Sequence, residues 1–232
     1  MNSDTAPTLP RTPVDLAGAR RAVREGGAVV LPNPAPLTHV VTATRPEAVN
    51  ESKGRPAGQP VALWAHAPET LRTVTACTPL DTTGAALAAR LLAEEHLTLL
   101  LPLSTDARPP AWLAPATKDG WVLLFGARWH PLVPLLDDHP VLYVSSANRT
   151  GHRPAATPVE AMTMFPEEMP VLHLPRVETE LRPSDARRAT TTLTLHPDGR
   201  PTLHRQGAQD APFPTPDAYL DDLRVRYGAS TA

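Results

Sequence analysis

The sequence predicts an α/β fold, an open, twisted, mixed parallel/antiparallel sheet with flanking helices. Three observations predict it. Short apolar runs with strand character, among them Val61 to Ala65, Leu97 to Leu101, Trp121 to Phe125 and Val141 to Ser145, alternate with stretches of helical periodicity. That alternation supplies crossover connections, which join parallel strands. Near the C-terminus, Thr191 to Leu195 and Thr202 to Arg205 alternate apolar and polar residues about a Pro197-Asp198-Gly199 turn, which reads as an antiparallel hairpin. Crossover and hairpin signals in one chain call for a mixed sheet.

In chain order, Asp15 to Glu25 reads as a helix with Leu16, Ala19, Ala22 and Val23 on one face and Gly26 as its stop. Ala28 to Leu31 and His39 to Ala43 read as strands. Pro46 to Ser52 is a short helix before the strand at Val61, Pro68 to Ala76 another, and Thr83 to Glu95 a longer one with Leu87, Leu91 and Leu92 turned inward. Thr157-Pro158-Val159-Glu160 has the side chains of a capping box and opens a helix to Phe165. Val171 to Leu174 reads as a further strand, and Pro216 to Tyr227 as a terminal helix closed by Gly228. The organisation expected is a flexible N-terminus (1–13), one domain (14–210) and a C-terminal helix and tail (211–232).

Bulk properties point to a soluble, cytoplasmic domain. The chain has 232 residues, of which 41% are apolar, enough for one substantial core. A net charge of −2 gives no global basic field to draw it to nucleic acid, so any RNA contact needs a local patch. The single cysteine, Cys77, rules out an intramolecular disulfide. No apolar run approaches the roughly 18 residues that span a membrane, and Met1 to Pro13 is polar and proline-broken, unlike a signal peptide. The 29 prolines lie between apolar runs, which suits short stiff connections in an ordered protein.

Two stretches carry chemistry. Ser145-Ser146-Ala147-Asn148-Arg149-Thr150-Gly151 follows an apolar strand, and in extended chain Ser146 and Asn148 point to one face. Such a cluster reads either as a plain turn or as a small polar rim for a ligand. Lys53-Gly54-Arg55-Pro56 opens a proline-stiffened loop in which a point charge and a planar fork flank a glycine. That loop reads either as a solvated basic face or as a polyphosphate contact. Arg149 and Arg153 add charge beside a helix start that favours anions. Neither a Walker loop nor a Gly-x-Gly-x-x-Gly fingerprint occurs, nor a Gly-x-Ser-x-Gly elbow. Nine histidines are scattered singly, without zinc-site spacing. Asp137-Asp138 and Asp221-Asp222 read as solvated acidic pairs, and Trp112, Trp121 and Trp129 as packing residues.

Taken together, Lys53-x-Arg55 and Ser146-x-Asn148, about ninety residues apart, resemble the signature of the YrdC-like family, whose best-known members are threonylcarbamoyl-adenylate synthases. The similarity runs from about Gly26 to Gly207. Pro154-Ala155-Ala156-Thr157 extends the second motif, Thr190-Thr191-Thr192-Leu193 stands in the place of a Ser-Thr motif, and Arg205-Gln206-Gly207 where the family often has Arg-Pro-Gly. The departures concentrate elsewhere. Where the family has Pro-Thr-Asp-Thr-x-Tyr-Gly-Leu, this chain has Pro32-Asn33-Pro34-Ala35-Pro36-Leu37-Thr38-His39; the family's Trp-Pro-Gly-Pro is replaced by Ala93-Glu94-Glu95-His96; and the nearest counterpart of a family arginine is Arg128. The helix before Lys53 is shortened.

The resemblance implies a YrdC-like fold with a large, concave, positively charged cavity, and a nucleotidyltransferase. Threonine and bicarbonate give a carbamate whose oxygen attacks the α-phosphorus of ATP; pyrophosphate leaves, and the threonylcarbamoyl-adenylate goes on to modify an adenosine in tRNA. It assigns Lys53, Arg55, Ser146 and Asn148 to catalysis and nucleotide binding, Thr191 and Arg205 to the nucleotide, and Asn33 and Leu37 to a degenerate substrate motif. ATP is the substrate, with Mg2+ on its phosphates; the partners implied are ATP, threonine, bicarbonate, and RNA or tRNA-modification proteins. Three readings stand: a working synthase, a divergent nucleotide- or RNA-binding protein without synthesis, and carbamoyl-adenylate chemistry on another acceptor, as in the related domain of hydrogenase-maturation carbamoyltransferases. Fold alone does not choose among them.

Overall fold

The computed structural model describes residues 12–175 and 187–228. One mixed sheet organises them. Its strands are β1 (Val29–Leu31), β2 (Val40–Ala43), β3 (Ala62–Trp64), β4 (Thr98–Pro102), β5 (Thr117–Lys118), β6 (Trp121–Phe125), β7 (Tyr143–Ser146), β8 (Thr192–Leu195) and β9 (Pro201–Arg205). The spatial order is β1-β2-β7-β3-β6-β4-β8-β9, with β5 paired to β6. Only β3–β6 and β4–β8 are parallel; the other pairings are antiparallel. β7 therefore lies between β2 and β3, and its C-terminal end meets the starting ends of both.

The helices are α1 (Leu16–Arg24), α2 (Pro46–Ser52), α3 (Pro68–Thr75), α4 (Thr82–Glu94), α5 (Val133–Leu136), α6 (Pro158–Met164) and α7 (Pro216–Tyr227). Their starts follow from sequence. Asp15, Asp81, Thr157 and Thr215 each accept an amide hydrogen bond as N-cap, and α2, α3, α6 and α7 begin with proline, which needs no donor there. The expected capping box at Thr157 forms with a shift: Glu160 N donates to Thr157 Oγ1, while the Glu160 carboxylate accepts from Ala156 N at 2.7 Å.

Strand alternation sorts side chains into two cores. Val61, Leu63, Leu99, Leu101, Val122, Leu124 and Tyr143 face one side, where Ala48 and Val49 of α2, Leu91 and Leu92 of α4, Ala161 of α6 and Leu220 and Leu223 of α7 cover them. Val40, Ala62, Trp64, Phe125 and Val144 face the other, covered by Ala19 and Val23 of α1 and by Leu135 and Leu136 of α5. Buried side chains of this size stabilise the fold by roughly 1.5–3 kcal/mol each. Trp64 is fully buried and donates its indole N–H to Ala127 O, so it packs without an unpaired donor. Beyond β6 the second face turns polar: β4 and β8 present Thr98, Thr192 and Thr194, of which Thr98 and Thr192 are buried.

Several expectations shift. The strand expected over Val171 to Leu174 is two isolated bridges, Val30↔Val171 and Val14↔Leu172. Ala111–Ala116 winds as a 3-10 helix containing Pro115 and leads into β5, and α5 carries Pro134; neither pattern announces itself as a helix or strand in a proline-rich stretch. Cys77 is free and buried. Asp137 and Asp138 pair with Arg128 and Arg20, and Asp221 and Asp222 with Arg224 and Arg226. Among the described residues no helix is long and apolar enough to cross a membrane, and no cluster could hold a metal ion. The expected N-terminal arm lies outside the described residues up to position 11, as does the tail after 228.

At the far end, α7 is bound to the chain just before β4. Arg226 and the Tyr227 hydroxyl both donate to the Glu95 carboxylate, and the Arg90 and Arg226 guanidinium carbons stand 4.6 and 5.2 Å from the Tyr227 ring centre.

Candidate functional site

The site forms where β7 ends between the starts of β2 and β3. Ser145 and Ser146 are the last residues of β7, opposite Val41 and Val40. Ser146 Oγ donates to Asn148 Oδ1 at 2.6 Å, and Asn148 Nδ2 donates to the carbonyls of Arg149 and His152, at 3.1 and 2.9 Å. The turn after β7 is therefore held by its own side chains.

The basic loop arrives from the other side. Lys53 caps the C-terminus of α2, and Gly54 takes φ +65°, which a side chain would strain. The chain then turns so that Lys53 and Arg55 both reach β7. Lys53 Nζ donates to Ser146 O and, at 3.0 Å, to Asn148 Oδ1. Arg55 Nη1 donates to Ser145 Oγ at 3.3 Å. Lys53, Arg55, Ser146 and Asn148 thus converge, across about ninety residues of sequence, on one end of the sheet.

Their environments differ. Lys53 is 1% exposed. Burial, and secondarily the Arg55 charge, lower its pKa to about 7. Arg55 is half-buried; burial lowers its pKa, and its Nε is buried without a hydrogen-bond partner among the described residues. An arginine stays charged under such a shift, whereas the lysine is poised between charged and neutral.

Beside them lies a cavity of about 230 Å³. Its floor crosses the sheet through Val40, Val144, Ala62, Leu123 and Phe125. Arg55, Ser145 and Ser146 line one side; Asn33, Leu37 and Thr38 stand near them, and Thr98, Thr190 and Arg205 complete the lining. Among the described residues Arg55 and Arg205 are the charged members of the lining, and none of those residues is a carboxylate. A small anion on an apolar floor is the chemistry this arrangement accepts.

Asn33 and Leu37 both reach the cavity, yet the Asn33 amide donates to Thr38 O at 2.8 Å and so is engaged within its own segment. Arg205 donates to Thr190 O at 3.3 Å from the cavity's rim. Thr191 turns away: its fully buried hydroxyl bonds to Asp210 Oδ1 at 2.5 Å and accepts from Gln209 N and Asp210 N. The cavity-lining residue of that run is Thr190, whose hydroxyl pairs with that of Thr98 at 2.6 Å. Gly207 is needed beneath them, since a Cβ there would stand 2.2 Å from Thr191 N. Arg128 is engaged with His66 O and Asp137, and Arg149 and Arg153 are exposed; none of the three lines the cavity. Ser145, the last residue of the strand expected over Val141 to Ser145, and Thr98, within the run Leu97 to Leu101, also line the cavity, and no motif marks either of them.

Comparisons with known proteins identify the family and the fold. The family model Sua5_yciO_yrdC, described as "Telomere recombination", matches residues 21–207. No curated protein matches the chain. Among solved structures, Sua5 of P. abyssi complexed with L-threonine is 19% identical with a TM-score of 0.60, over 83% of this chain and 54% of that one. YciO of E. coli is 15% identical with a TM-score of 0.58, over 84% and 90%. Full-length HypF in a phosphate- and nucleotide-bound form is 15% identical with a TM-score of 0.60, over 86% and 30%. The chain thus spans about half the length of the Sua5 protein it resembles. A match over residues 21–207, on a sheet that brings the two signature motifs to one end, makes this chain a member of the Sua5/YciO/YrdC family.

Proposed function

We propose that this protein forms a carbamoyl-adenylate from ATP, bicarbonate and an amino acid, with threonine as acceptor, for modification of an adenosine in tRNA. The observation that carries the reading is the convergence of Lys53, Arg55, Ser146 and Asn148 beside a cavity whose charged lining residues are arginines. The threonine complex of Sua5 and the nucleotide-bound form of HypF, both on this fold, support it.

In this reading the amine and bicarbonate give a carbamate and water. A carbamate oxygen then attacks the α-phosphorus of Mg2+-bound ATP, and pyrophosphate leaves. The step depends on placing two anions together, so charge neutralisation and orientation matter more than proton transfer. Arg55 lies in the lining and offsets the charge of the reacting phosphate. Ser145 offers its hydroxyl proton to the phosphate oxygens, while Ser146 gives its own to Asn148 Oδ1 and holds the turn. Lys53 sits behind that wall and keeps Ser146 and Asn148 in place while adding its charge to the field. Arg205 and Thr190 serve the opposite side of the cavity. At about 230 Å³ the cavity is smaller than the roughly 300–1,000 Å³ of most small-molecule sites. It takes the reacting centre, and the remainder of the nucleotide extends over the rim.

A second reading rests on the 33–38 segment. Its Asn33 amide is engaged with Thr38 O, and Leu37 contributes an apolar side chain. That wall favours either another acceptor or nucleotide (or RNA) binding without turnover. Incubation with ATP, Mg2+, bicarbonate and threonine separates the cases. Pyrophosphate release that requires both bicarbonate and threonine supports the synthase. Release with bicarbonate but without threonine dependence supports another acceptor. ATP binding with no release supports a binding protein.

A further inference from the structure

We propose that Asn50, which does not itself line the cavity, is the positioning residue that sets Lys53 and Arg55. The inference rests on the reading of the site given above. Asn50 lies within α2, and its side chain is fully buried. Its carbonyl accepts from Lys53 N at 3.1 Å and from Arg55 N at 2.9 Å. Its side-chain Nδ2 donates to Ala57 O at 3.0 Å and to Gln59 O at 2.7 Å. One residue therefore makes four hydrogen bonds into the loop that carries both cations.

Apart from the bonds of Lys53 and Arg55 themselves to β7 and its turn, the loop has little else to shape it. Residues 56–60 are all exposed, so no buried apolar side chain anchors them. Its other backbone bonds are short-range: Gly54 N to Glu51 O and Gln59 N to Pro56 O. The orientation of the Asn50 amide is fixed, because turning it over would set Oδ1 against two carbonyl oxygens. Its Oδ1 is buried without a partner among the described residues, so the amide is held there by what its nitrogen does. A buried amide that gives its hydrogens to two carbonyls of one turn, while its own carbonyl takes the amides of Lys53 and Arg55, ties the two ends of that loop together.

Two variants test this. Asn50→Ala removes both donors; Asn50→Asp keeps the shape and, when ionised, faces two carbonyls with a carboxylate. Two readouts are taken on the full chain. The first is limited trypsin cleavage without ligand, mapped by mass spectrometry. In the parent the Lys53–Gly54 bond resists, because Lys53 is 1% exposed. Each variant is expected to be cut there at least about tenfold faster, with other sites unchanged. The second is ATP affinity, expected to weaken at least about tenfold. The Asn50→Asp to parent affinity ratio should recover as the pH is lowered and the aspartic acid regains a donor. Cleavage that rises equally at every lysine and arginine, or does not rise, overturns the proposal. So does an ATP affinity equal to the parent's when the parent binds. A parent that binds no ATP defeats the functional reading instead, and the trypsin map still decides the role of Asn50.

Discussion

The two walls that meet at the end of β7 are built by different means. On one, Lys53, Arg55, Ser145, Ser146 and Asn148 are joined by side-chain hydrogen bonds between segments about ninety residues apart. On the other, residues 33–38 are held through their backbone: the Asn33 amide donates to Thr38 O, Leu37 N to Pro34 O and Thr38 N to Arg188 O, and the Arg187 guanidinium, from outside the segment, donates to Leu37 O at 2.7 Å and Asn33 O at 3.2 Å. The first wall is set by side-chain identity and offers cations and hydroxyls to a ligand. The second is set by chain path and offers shape. His39 is the seam between them, since its amide donates to Ala155 O and its carbonyl accepts from Ala147 N. A wall of the first kind fails on one substitution; a wall of the second kind can change its side chains while the fold persists.

The sharpest way to break this contrast is Arg55→Ala. Removing the first wall's cavity-lining cation should weaken ATP binding by about 100-fold or more, near 2.7 kcal/mol, while the thermal midpoint stays close to the parent's; calorimetric titration measures the one and thermal unfolding the other. Next comes the seam. His39 is 1% exposed, its two ring nitrogens have no partner among the described residues, and burial lowers its pKa to about 4. Its unfolded value is roughly 6.5, so between those values the unfolded chain holds more protons and stability falls with falling pH. The loss from His39 is roughly 2 kcal/mol by pH 5; His66, whose burial also lowers its pKa to about 4, adds its own loss to both proteins, so urea unfolding at pH 7.5 and 5 should show a drop in His39→Gln that is smaller than the parent's by the His39 share.

A smaller effect comes from Lys53, whose value near 7 makes the first wall less positive as the pH rises. ATP affinity should drop about tenfold from pH 6.5 to 8.5, with proton uptake on binding in the upper part of that range. A flat profile would mean that Lys53 does not contribute to anion binding. Smallest is Asn33→Ala, which removes the donor to Thr38 O and should cost about 1 kcal/mol of stability with ATP affinity unchanged. A parallel loss of ATP affinity would erase the distinction between the walls.

Much of the first wall was legible in sequence, because lysine, arginine, serine and asparagine name their chemistry and the spacing Lys-x-Arg and Ser-x-Asn marks which of them belong together. What sequence left out is set by register. Thr191 looked like the nucleotide contact of its run, but side chains alternate at single-residue steps, and it is Thr190 that lines the cavity while Thr191 serves Asp210. Thr98 joins the site only because β4 pairs with β8. The α/β class and the hairpin of β8 and β9 were readable from periodicity. The segment Ala111–Lys118 was not, since prolines there hide the period and the 3-10 turn is held by local bonds. Val171 and Leu172 have strand-like composition, yet they form only isolated bridges with Val30 and Val14.

The central place of β7 has a consequence for the order in which this protein comes into being. The hairpin of β1 and β2 joins the rest of the sheet through β7 alone, with Val40 paired to Ser146 and Ala43 to Tyr143. On a ribosome making roughly 5–20 residues per second, that hairpin waits several seconds for its partner, with an open edge of Val40, Val41 and Thr42. Slow translation between positions 44 and 142, or a shortage of chaperone during it, is where newly made chains would be lost to aggregation.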